Sequence, residues 1–493
     1  MPASGSRGCE RLWDSVMGRG FAREFRVAHA SRVSRSAARR THRGARRVQE
    51  AFTDYDATVH IRGEPPRTAR GPRALPGIVA PRHSTKFAGL DRPPGRSYRL
   101  PPFPMSNESA PAAAAPAFSF KNPFPARVTV NRRLTGGGSN KDTRHYEISL
   151  VGSGVSYLAG DSLGILPANC PALADEVISA LRASGDEPVP GRDGQPKPLR
   201  DALIGDYAIT FADKKFLEAC GQRGATELQA KLAPENADEA RKYLQGKGEA
   251  HDYVDILREF PQVSFAPEEF VKLLGKAKPR LYSIASSLKA HPESVHLTVA
   301  TVTYEIRGRL RKGVASTFLA DRWSGGSTAG VWVQNQQKHF SLPASGDTPI
   351  IMVGPGTGVA PFRAYVEERE ATGAKGRNWL FFGEQHEATD FFYREQFEAW
   401  QKSGFLALTT AFSRDQSEKI YVQTRMRENA HEIWRWLDDG AEFFVCGDKE
   451  RMAEDVHQEL IRIVQTEGGK TPEQALEYVD AMKKTKRYKR DVY

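Results

Sequence analysis

Cysteine is scarce in this sequence, and long apolar runs are missing from it. The 493 residues include four cysteines, at Cys9, Cys170, Cys220 and Cys446. No two of them have the spacing of a metal site, and the chain is far too long for a disulfide scaffold, so reduced thiols in the cytoplasm are expected. No run of about 18 apolar residues occurs, so neither a membrane-spanning segment nor a membrane partner is predicted.

Acidic residues are under-represented in the first 104 residues. This segment holds 21 Lys and Arg against 8 Asp and Glu, so its net charge is about +13. The whole chain has a net charge of +11, so the remaining residues carry about −2. The basic character therefore belongs to the N-terminal segment. A nucleic-acid partner is not expected for the rest of the chain.

Residues 1–118 lack sustained hydrophobic periodicity and are rich in Arg, Pro, Ala and Gly, so disorder is predicted. Three interpretations are open for the part before Met105: an organelle transit peptide, a nucleic-acid-binding arm, or translated leader upstream of a native start at Met105. The third is favoured because Met105 begins a polar stretch that leads into an Ala- and Pro-rich linker.

The remaining sequence has two patterns. Residues 119–345 are β-rich but are interrupted by a helical block at about 167–270. Residues 346–493 alternate short apolar runs with helical patterns, which favours a parallel, doubly wound sheet. The sequence therefore predicts two folded domains after the N-terminal segment.

Residues 280–283 place a cation, an aromatic ring and a hydroxyl close together. In a strand, Arg280 and Tyr282 would share one face, and Ser283 would take the other face or sit at a bend. A ligand with a phosphate and a ring system needs such a set: a forked guanidinium for the phosphate, a flat ring to stack on, and a hydrogen-bond donor for a ring nitrogen. The alternative is an ordinary surface strand.

A glycine-rich turn at residues 354–362 lies between a predicted strand and a predicted helix. Its glycines would let the backbone approach a pyrophosphate at the helix N-terminus. The turn does not have the GxGxxG spacing of the dinucleotide fingerprint, and a tight turn without a ligand is the alternative interpretation.

Residues 413–423 end one predicted strand of the second domain and lead into a helix. Arg414 and Lys419 supply charge, and Ser413 and Tyr421 supply donors, for a 2′-phosphate on adenosine. NADPH rather than NADH is then the expected dinucleotide. A solvated polar loop is the alternative.

Three further candidate functional sites are indicated by where their residues lie in the predicted strands and helices or in the chain. Cys446 ends a strand at the edge where such sheets bind ligands, although a lone cysteine is usually a small core residue. Residues 313–316 enter a helix with Ser316 near its N-terminus, which suits a diphosphate. Tyr493 ends the chain, where fraying is the default expectation.

Taken in order, these motifs resemble the ferredoxin-NADP reductase superfamily and its diflavin reductase branch. Within that branch they are most similar to the flavoprotein (alpha) subunits of assimilatory NADPH-sulfite reductases. The resemblance rests on residues 280–287, 434–441, 445–448 and 487–493 and covers about residue 120 to the end. It implies an antiparallel β-barrel FAD-binding domain with a helical insertion, followed by an α/β Rossmann-like NADP-binding domain.

The resemblance also implies the site residues. Arg280 would bind FAD phosphate, Tyr282 and Tyr493 would cover the two flavin faces, and Ser283, Cys446 and Asp491 would surround the reacting atoms as catalytic residues. The full implied FAD set is Thr210, Arg280, Leu281, Tyr282, Ser283, Thr298, Val299, Ala300, Tyr304, Gly313, Val314, Ala315, Ser316 and Tyr493. The implied NADPH set is Gly356, Thr357, Ser413, Arg414, Lys419, Ile420, Tyr421, Val422, Gln423 and Asp455. No metal ligand is expected.

The sequence departs from the family's usual form, because residues before 120 do not have the pattern of the FMN-binding flavodoxin domain. No FMN is therefore expected on this chain. The implied function is electron input from NADPH through FAD to a siroheme and iron–sulfur sulfite reductase subunit. An NADPH-ferredoxin or NADPH-flavodoxin reductase is the nearest alternative, with a small electron carrier as partner. A non-catalytic binding module is a more distant one.

Overall fold

The computed structural model describes residues 118–246, 248–324 and 326–493, which lie within one compact unit, Met105–Tyr493. The predictions of disorder, a transit peptide, a basic arm or a start at Met105 concern residues outside this described range. No helix among the described residues is long and apolar enough to cross a membrane.

Antiparallel sheets make up the first part of the fold. Their strands are β1 (Phe124–Ala126), β2 (Val128–Arg133), β3 (Thr143–Ser149), β4 (Ser162–Ile165), β5 (Pro188–Pro190), β6 (Pro196–Pro198), β7 (Arg280–Ser283), β8 (Ser294–Ala300), β9 (Thr303–Ile306), β10 (Arg309–Lys312) and β11 (Ala329–Gln334). One sheet has the order β1-β11-β4-β7 and another the order β2-β3-β8, while β9 pairs with β10 and β5 with β6. An apolar cluster that includes Ile148, Leu163 and Val295 packs beneath these strands.

Helices follow one another between β4 and β7, apart from the short β5–β6 pair. They are α1 (Pro171–Leu181), α2 (Leu199–Gly205), α3 (Lys214–Gly221), α4 (Thr226–Lys231), α5 (Ala237–Gln245), α6 (Tyr253–Glu259) and α7 (Pro267–Leu273). Proline at the first turn of α1 and α7 suits a helix start, since its missing N–H would have no partner there. Their apolar faces converge on a core of their own around Val177, Phe216 and Phe270.

A short helix, α8 (Val314–Thr317), returns the chain to the antiparallel sheets and continues as a π-helical turn over Phe318–Arg322. Strands and helices then alternate. These elements are β12 (Ile350–Val353), α9 (Ala360–Ala371), β13 (Asn378–Glu384), α10 (Glu387–Asp390), α11 (Arg394–Lys402), β14 (Ala407–Phe412), α12 (Val422–Glu428), α13 (Ala430–Asp438), β15 (Glu442–Gly447), α14 (Met452–Thr466), α15 (Pro472–Lys484) and β16 (Tyr488–Val492).

The second half forms a parallel sheet in the order β14-β13-β12-β15-β16. All residues of β12 and β13 are buried, as expected for parallel strands that are covered by helices on both faces. The chain adds β13 and then β14 on one side of β12, and it adds β15 and then β16 on the other side. The carboxyl ends of β12 and β15 therefore leave a crevice between them. The coarse prediction of antiparallel sheets followed by a parallel sheet is confirmed.

The C-terminus differs from the default expectation of fraying. Residues Tyr488–Val492 form β16, and Asp491 pairs in register with Cys446 of β15. Lys489 is also anchored, because its Nζ donates to the carbonyl oxygen of Ser341 at 2.6 Å and to Glu442 at 2.7 Å. The sheet therefore places the last residues of the chain beside the crevice.

Candidate functional site

The predicted cation, ring and hydroxyl lie on β7, which spans Arg280–Ser283 as expected. Arg280 and Leu281 are exposed, and Tyr282 and Ser283 are half-buried. The Ser283 Oγ donates a hydrogen bond of 2.8 Å to Asp491 Oδ2, across 208 residues of sequence. The hydroxyl of the antiparallel part is therefore joined directly to the last strand of the parallel sheet.

Cys446 completes a cluster with these two residues. Its Sγ lies 3.9 Å from the same Asp491 oxygen and is fully buried. Burial raises the pKa of the Cys446 thiol well above its usual range, so the sulfur keeps its proton. Burial also raises the pKa of Asp491, although the hydrogen bonds from Ser283 and Cys446 oppose the rise. The structure thus brings the three predicted catalytic residues together.

Tyr493 lies at the mouth of the same crevice. Its hydroxyl is 2.8 Å from Thr357 Oγ1, and 60 % of the residue is exposed. The ring is therefore held by one side-chain hydrogen bond and is not packed into the core. Thr357 belongs to the glycine-rich turn, so the turn and the end of the chain meet here.

The glycine-rich turn packs tightly on the end of β15. A Cβ on Gly358 would lie 2.1 Å from the carbonyl oxygen of Cys446, and Gly356 has a φ of +58°. Neither position accepts a larger residue without backbone movement. The turn runs over residues 354–359 and enters α9, so its backbone lies open at a helix N-terminus.

The second glycine turn, at Gly313, also depends on a missing side chain. A Cβ there would lie 2.9 Å from Ser316 Oγ and 3.0 Å from Val302 Cβ. The Ser316 Oγ accepts a hydrogen bond of 3.0 Å from the backbone N–H of Val302. Val314, Ala315 and Ser316 occupy the first turn of α8, as predicted.

Thr298 and Val299 have their side chains turned away from an open site. Thr298 Oγ1 lies 2.6 Å from the hydroxyl of Tyr393, which belongs to the second domain, and Val299 is part of the apolar core. That these residues line the FAD site stays a prediction. Ala300, at the end of β8, is half-buried.

Tyr304 forms an aromatic pair that the sequence did not predict. Its ring is nearly parallel to that of Phe211, with 6.3 Å between the ring centroids and 15° between the planes. Phe211 is about half exposed and directly follows Thr210. The predicted FAD residue Thr210 is therefore brought near Tyr304, although helices α3 to α7 separate them in the sequence.

A cleft of about 540 Å³ opens at the carboxyl edge of the parallel sheet. Its volume is in the range of small-molecule and cofactor sites. Predicted NADPH residues that line it are Gly356, Ser413, Arg414, Lys419, Tyr421, Val422, Gln423 and Asp455. Thr357 and Ile420 are not part of this lining; Thr357 instead contacts Tyr493.

Several lining residues come from parts of the sequence that carried no signal. Lys141 reaches the cleft from the β2–β3 connection and makes an ion pair of 2.8 Å with Glu384 at the end of β13. Arg451 also lines the cleft, beside Asp448, which ends the motif at residues 445–448. A contact between Lys141 and Glu384 spans 243 residues, so no local pattern could have indicated it.

We expect Lys141→Met to lower the free energy of unfolding by about 2 kcal/mol, measured by urea denaturation. The Glu384 side chain is 3 % exposed, and its carboxylate would lose its cation. The matched control is Lys312→Met, which breaks an exposed pair with Asp321 and should cost less than about 0.5 kcal/mol. A loss as small as that of the control would contradict a structural role for Lys141.

The chemistry of these residues fits FAD and a nicotinamide dinucleotide. Exposed Arg280, the ring of Tyr282 and the backbone turn at Gly313 suit a flavin that carries a diphosphate. The cleft offers the cations Arg414 and Lys419 and a second glycine turn to a phosphorylated nucleotide. The cluster of Ser283, Asp491 and Cys446 lies where the two regions meet.

Comparison with known proteins agrees with this chemistry. Residues 116–318 match the FAD binding domain family, and residues 352–458 match the oxidoreductase NAD-binding domain family. These matches confirm the prediction that FAD and a nicotinamide dinucleotide are the cofactors, and the residues assigned to each site stay predictions.

The similar proteins include sulfite reductase [NADPH] flavoprotein alpha-components. That of Bacillus subtilis is 47% identical over 391 residues, which cover 78% of this chain and 64% of the relative. Those of Vibrio vulnificus and Serratia proteamaculans are each 42% identical, over 78% and 76% of this chain and 61% and 62% of theirs. The chain thus spans somewhat less than two thirds of the length of these relatives. The chain is therefore similar to these flavoprotein alpha-components over most of its own length, and it has one match to an FAD binding domain and one to an oxidoreductase NAD-binding domain.

Proposed function

We propose that this chain is an NADPH-dependent FAD oxidoreductase and the electron-input component of an assimilatory sulfite reductase. The observation that carries the proposal is the hydrogen bond between Ser283 of the FAD-binding part and Asp491 of the parallel sheet, with Cys446 beside it. This cluster lies beside both proposed cofactor sites. The flavoprotein names of the relatives support the same activity.

FAD, when bound, would accept at N5 the hydride that leaves C4 of NADPH with its electron pair, and would pass the two electrons on singly. The residues of this chain would bind, orient and exclude water. Arg280 and the turn at residues 313–316 would hold the FAD diphosphate. The ring of Tyr282 would lie against one flavin face and that of Tyr493 against the other.

The other predicted residues are proposed in the roles that the resemblance implies. Thr210, Leu281, Thr298, Val299, Ala300 and Tyr304 would contribute to the FAD site. Gly356, Thr357, Ser413, Arg414, Lys419, Ile420, Tyr421, Val422, Gln423 and Asp455 would contribute to the NADPH site, with the cations on the 2′-phosphate. The cleft lining supports most of the second set.

Ser283, Asp491 and Cys446 would orient the two reacting rings. The Ser283 hydroxyl donates to Asp491 at 2.8 Å, so its oxygen can still accept a hydrogen bond from a ring N–H. The buried thiol of Cys446 keeps its proton and would donate it in a hydrogen bond to the same carboxylate oxygen. Tyr493 would cover the flavin when no dinucleotide is bound and would rotate away from it when nicotinamide enters.

The domain boundaries and the finer architecture belong to the same proposal. The antiparallel sheets would close into a single FAD-binding barrel over residues 119–345, with helices α1–α7 as its connecting insertion at about 167–270. Residues 346–493 would form the NADP-binding domain. The separate apolar core of the helices supports an inserted unit. Cys170, Cys220 and Cys446 are free thiols, which is consistent with a cytoplasmic protein.

The electron acceptor is proposed as a siroheme and iron–sulfur sulfite reductase subunit. Anaerobic titration of the purified yellow protein tests the first half of the proposal: NADPH should bleach the flavin much faster than NADH does at the same concentration. Affinity capture from a native lysate with cofactor analysis tests the second half. Recovery of a siroheme protein is the expected result, whereas recovery of ferredoxin or flavodoxin alone would overturn the sulfite reductase assignment. A protein that neither holds FAD nor responds to NADPH would overturn both.

A further inference from the structure

A buried ion pair lies on α9, at the boundary between the antiparallel sheets and the parallel sheet. Arg363 and Glu367 are one helical turn apart, and their Nη2 and Oε1 atoms are 2.7 Å apart. The two residues are 7 % and 4 % exposed. Neither of them belongs to the predicted FAD, NADPH or catalytic sets.

Both charges bind the backbone that follows β7. The Arg363 Nη1 donates a hydrogen bond of 2.5 Å to the carbonyl oxygen of Ala285. The backbone N–H of Ser287 donates one of 3.0 Å to Glu367 Oε2. Ala285 is two residues after Ser283, so the helix fixes the main chain directly after the strand whose residues are proposed to contact the flavin.

The same helix begins at the glycine turn of the proposed dinucleotide site. Residues 354–359 lead directly into Ala360, and Arg363 lies about one turn later. Since Gly358 packs against the carbonyl oxygen of Cys446, the turn has little freedom to shift on its own. One rigid element therefore connects the turn that would hold the dinucleotide to the strand that would hold the flavin.

Stability alone does not account for charges at this position. A buried ion pair contributes little net stability compared with apolar residues of the same size, because both charges lose their hydration. Directional bonds, however, select a single arrangement of the groups that they join. Here the Arg363 Nε donates to Gln396 Oε1 at 2.7 Å, and Gln396 Nε2 donates to Glu367 at 3.0 Å. The guanidinium also lies over the ring of Tyr393, 4.8 Å from its centroid.

We infer that Arg363 and Glu367 are positioning residues that set the distance between nicotinamide C4 and flavin N5. This inference rests on the proposed NADPH-to-FAD function. The pair would act through the backbone of residues 285–287 and not by contact with either ring. A misplacement of about 1 Å far from the reacting atoms can slow a reaction about 100-fold, so the loss of these bonds should be measurable.

The test is the double variant Arg363→Met/Glu367→Gln in the full chain. It removes both charges together, keeps the volume, and retains an acceptor for the N–H of Ser287. We expect FAD content, NADP⁺ affinity and melting temperature to change little. Flavin reduction by NADPH in anaerobic stopped flow should slow at least about 10-fold, with a larger kinetic isotope effect from NADPH deuterated at C4. The charge-transfer absorbance between nicotinamide and flavin should also weaken.

The matched control is Lys289→Met, which breaks an exposed ion pair of 2.6 Å between the same segment and Glu368 of the same helix. It should leave the rate and the absorbance unchanged. Reduction by the double variant within about twofold of wild type would overturn the inference, as would a slower rate that follows a matching loss of NADP⁺ affinity. Failure of wild-type protein to be reduced by NADPH would instead overturn the proposed function.

A second variant covers the case in which the double variant does not fold. Arg363→Lys keeps the buried charge that faces Glu367 but cannot donate to Ala285, Gln396 and Glu367 from one planar fork. It should show the same slower reduction, to a smaller degree, with NADP⁺ affinity retained. If this variant also lost FAD or failed to fold, the pair would be a structural requirement and the positioning role would be rejected.

Discussion

Replacing Asp491 by alanine should slow the reduction of FAD by NADPH about 100-fold while FAD stays bound. Asp491 accepts the hydrogen bond from Ser283 and lies in register with Cys446, so its removal releases both groups of the cluster. Removal of one preorganised polar group at a reacting centre typically costs 10²- to 10³-fold in rate. Asp491→Asn keeps an acceptor for Ser283 and removes only the charge, so a smaller loss of about 10-fold is expected.

The pKa of Asp491 provides a second, independent measurement. Burial raises this pKa in the folded chain, so the carboxyl group gains its proton at a higher pH than it does in the unfolded chain. If the ionised form orients Ser283, the rate of flavin reduction should fall as the pH falls through this raised pKa. Asp491→Asn should lack that fall.

The direction in which pH changes folding stability distinguishes a slower chemical step from partial unfolding of the variant. A carboxyl group with a raised native pKa favours the folded state below its unfolded pKa, and this advantage is lost as the pH rises through the folded pKa. Asp491→Asn should therefore be no less stable than wild type at neutral pH. The matched control is Asp439→Asn, which breaks an exposed pair with Arg377 and should change neither rate nor pH profile. Unchanged reduction by Asp491→Ala would remove the cluster from the mechanism.

Local patterns predicted the elements that carry the site but not the contacts between them. The strand at Arg280–Ser283, the turn before α9 and the strand that ends at Gly447 each depend on neighbouring residues, and all three were predicted. The pattern of residues 390–402 favours one helix, but the structure ends α10 at Asp390 and begins α11 at Arg394, with buried Phe392 between them. The pattern around residues 422–437 also favours one helix, but the structure has two, α12 and α13.

Long-range pairing accounts for what the sequence did not reveal. Asp491 meets Cys446 only because β16 adds to the edge of the parallel sheet, and the terminal residues alone indicated fraying. Lys141 and Phe211 reach the candidate sites from a strand connection and from the helical block. In the sequence, Arg363 and Glu367 occupy ordinary polar positions of a helix. Only the structure shows that they bond to the backbone of residues 285 and 287, just after β7. Such contacts depend on which surfaces are packed together, and periodicity contains no information about that.

Replacing Arg414 and Lys419 together by alanine should lower kcat/KM for NADPH about 100- to 1,000-fold and change the value for NADH less than about threefold. Both residues line the cleft at the carboxyl edge of the sheet, beside Ser413 and the half-exposed Tyr421. A hydrogen bond to a charged group contributes about 1.5–3 kcal/mol. Both residues are exposed, so about 1.5–2 kcal/mol is expected for each, and the loss of the two together gives this range. NADH lacks the 2′-phosphate, and for it the substitutions remove nothing that binds.

The ratio of kcat/KM for NADPH to kcat/KM for NADH should therefore fall by nearly the same factor as kcat/KM for NADPH. Most of this fall should come from a higher KM for NADPH. An interaction with a remote phosphate is made equally in the ground state and in the transition state. The matched control is Arg435→Ala/Lys484→Ala, which removes the same net charge from the last turns of α13 and α15. If the control lowered NADPH activity as much, general attraction of a polyanion would explain the result. Equal losses with NADPH and NADH would place the adenosine phosphate elsewhere and reject the assignment of this cleft.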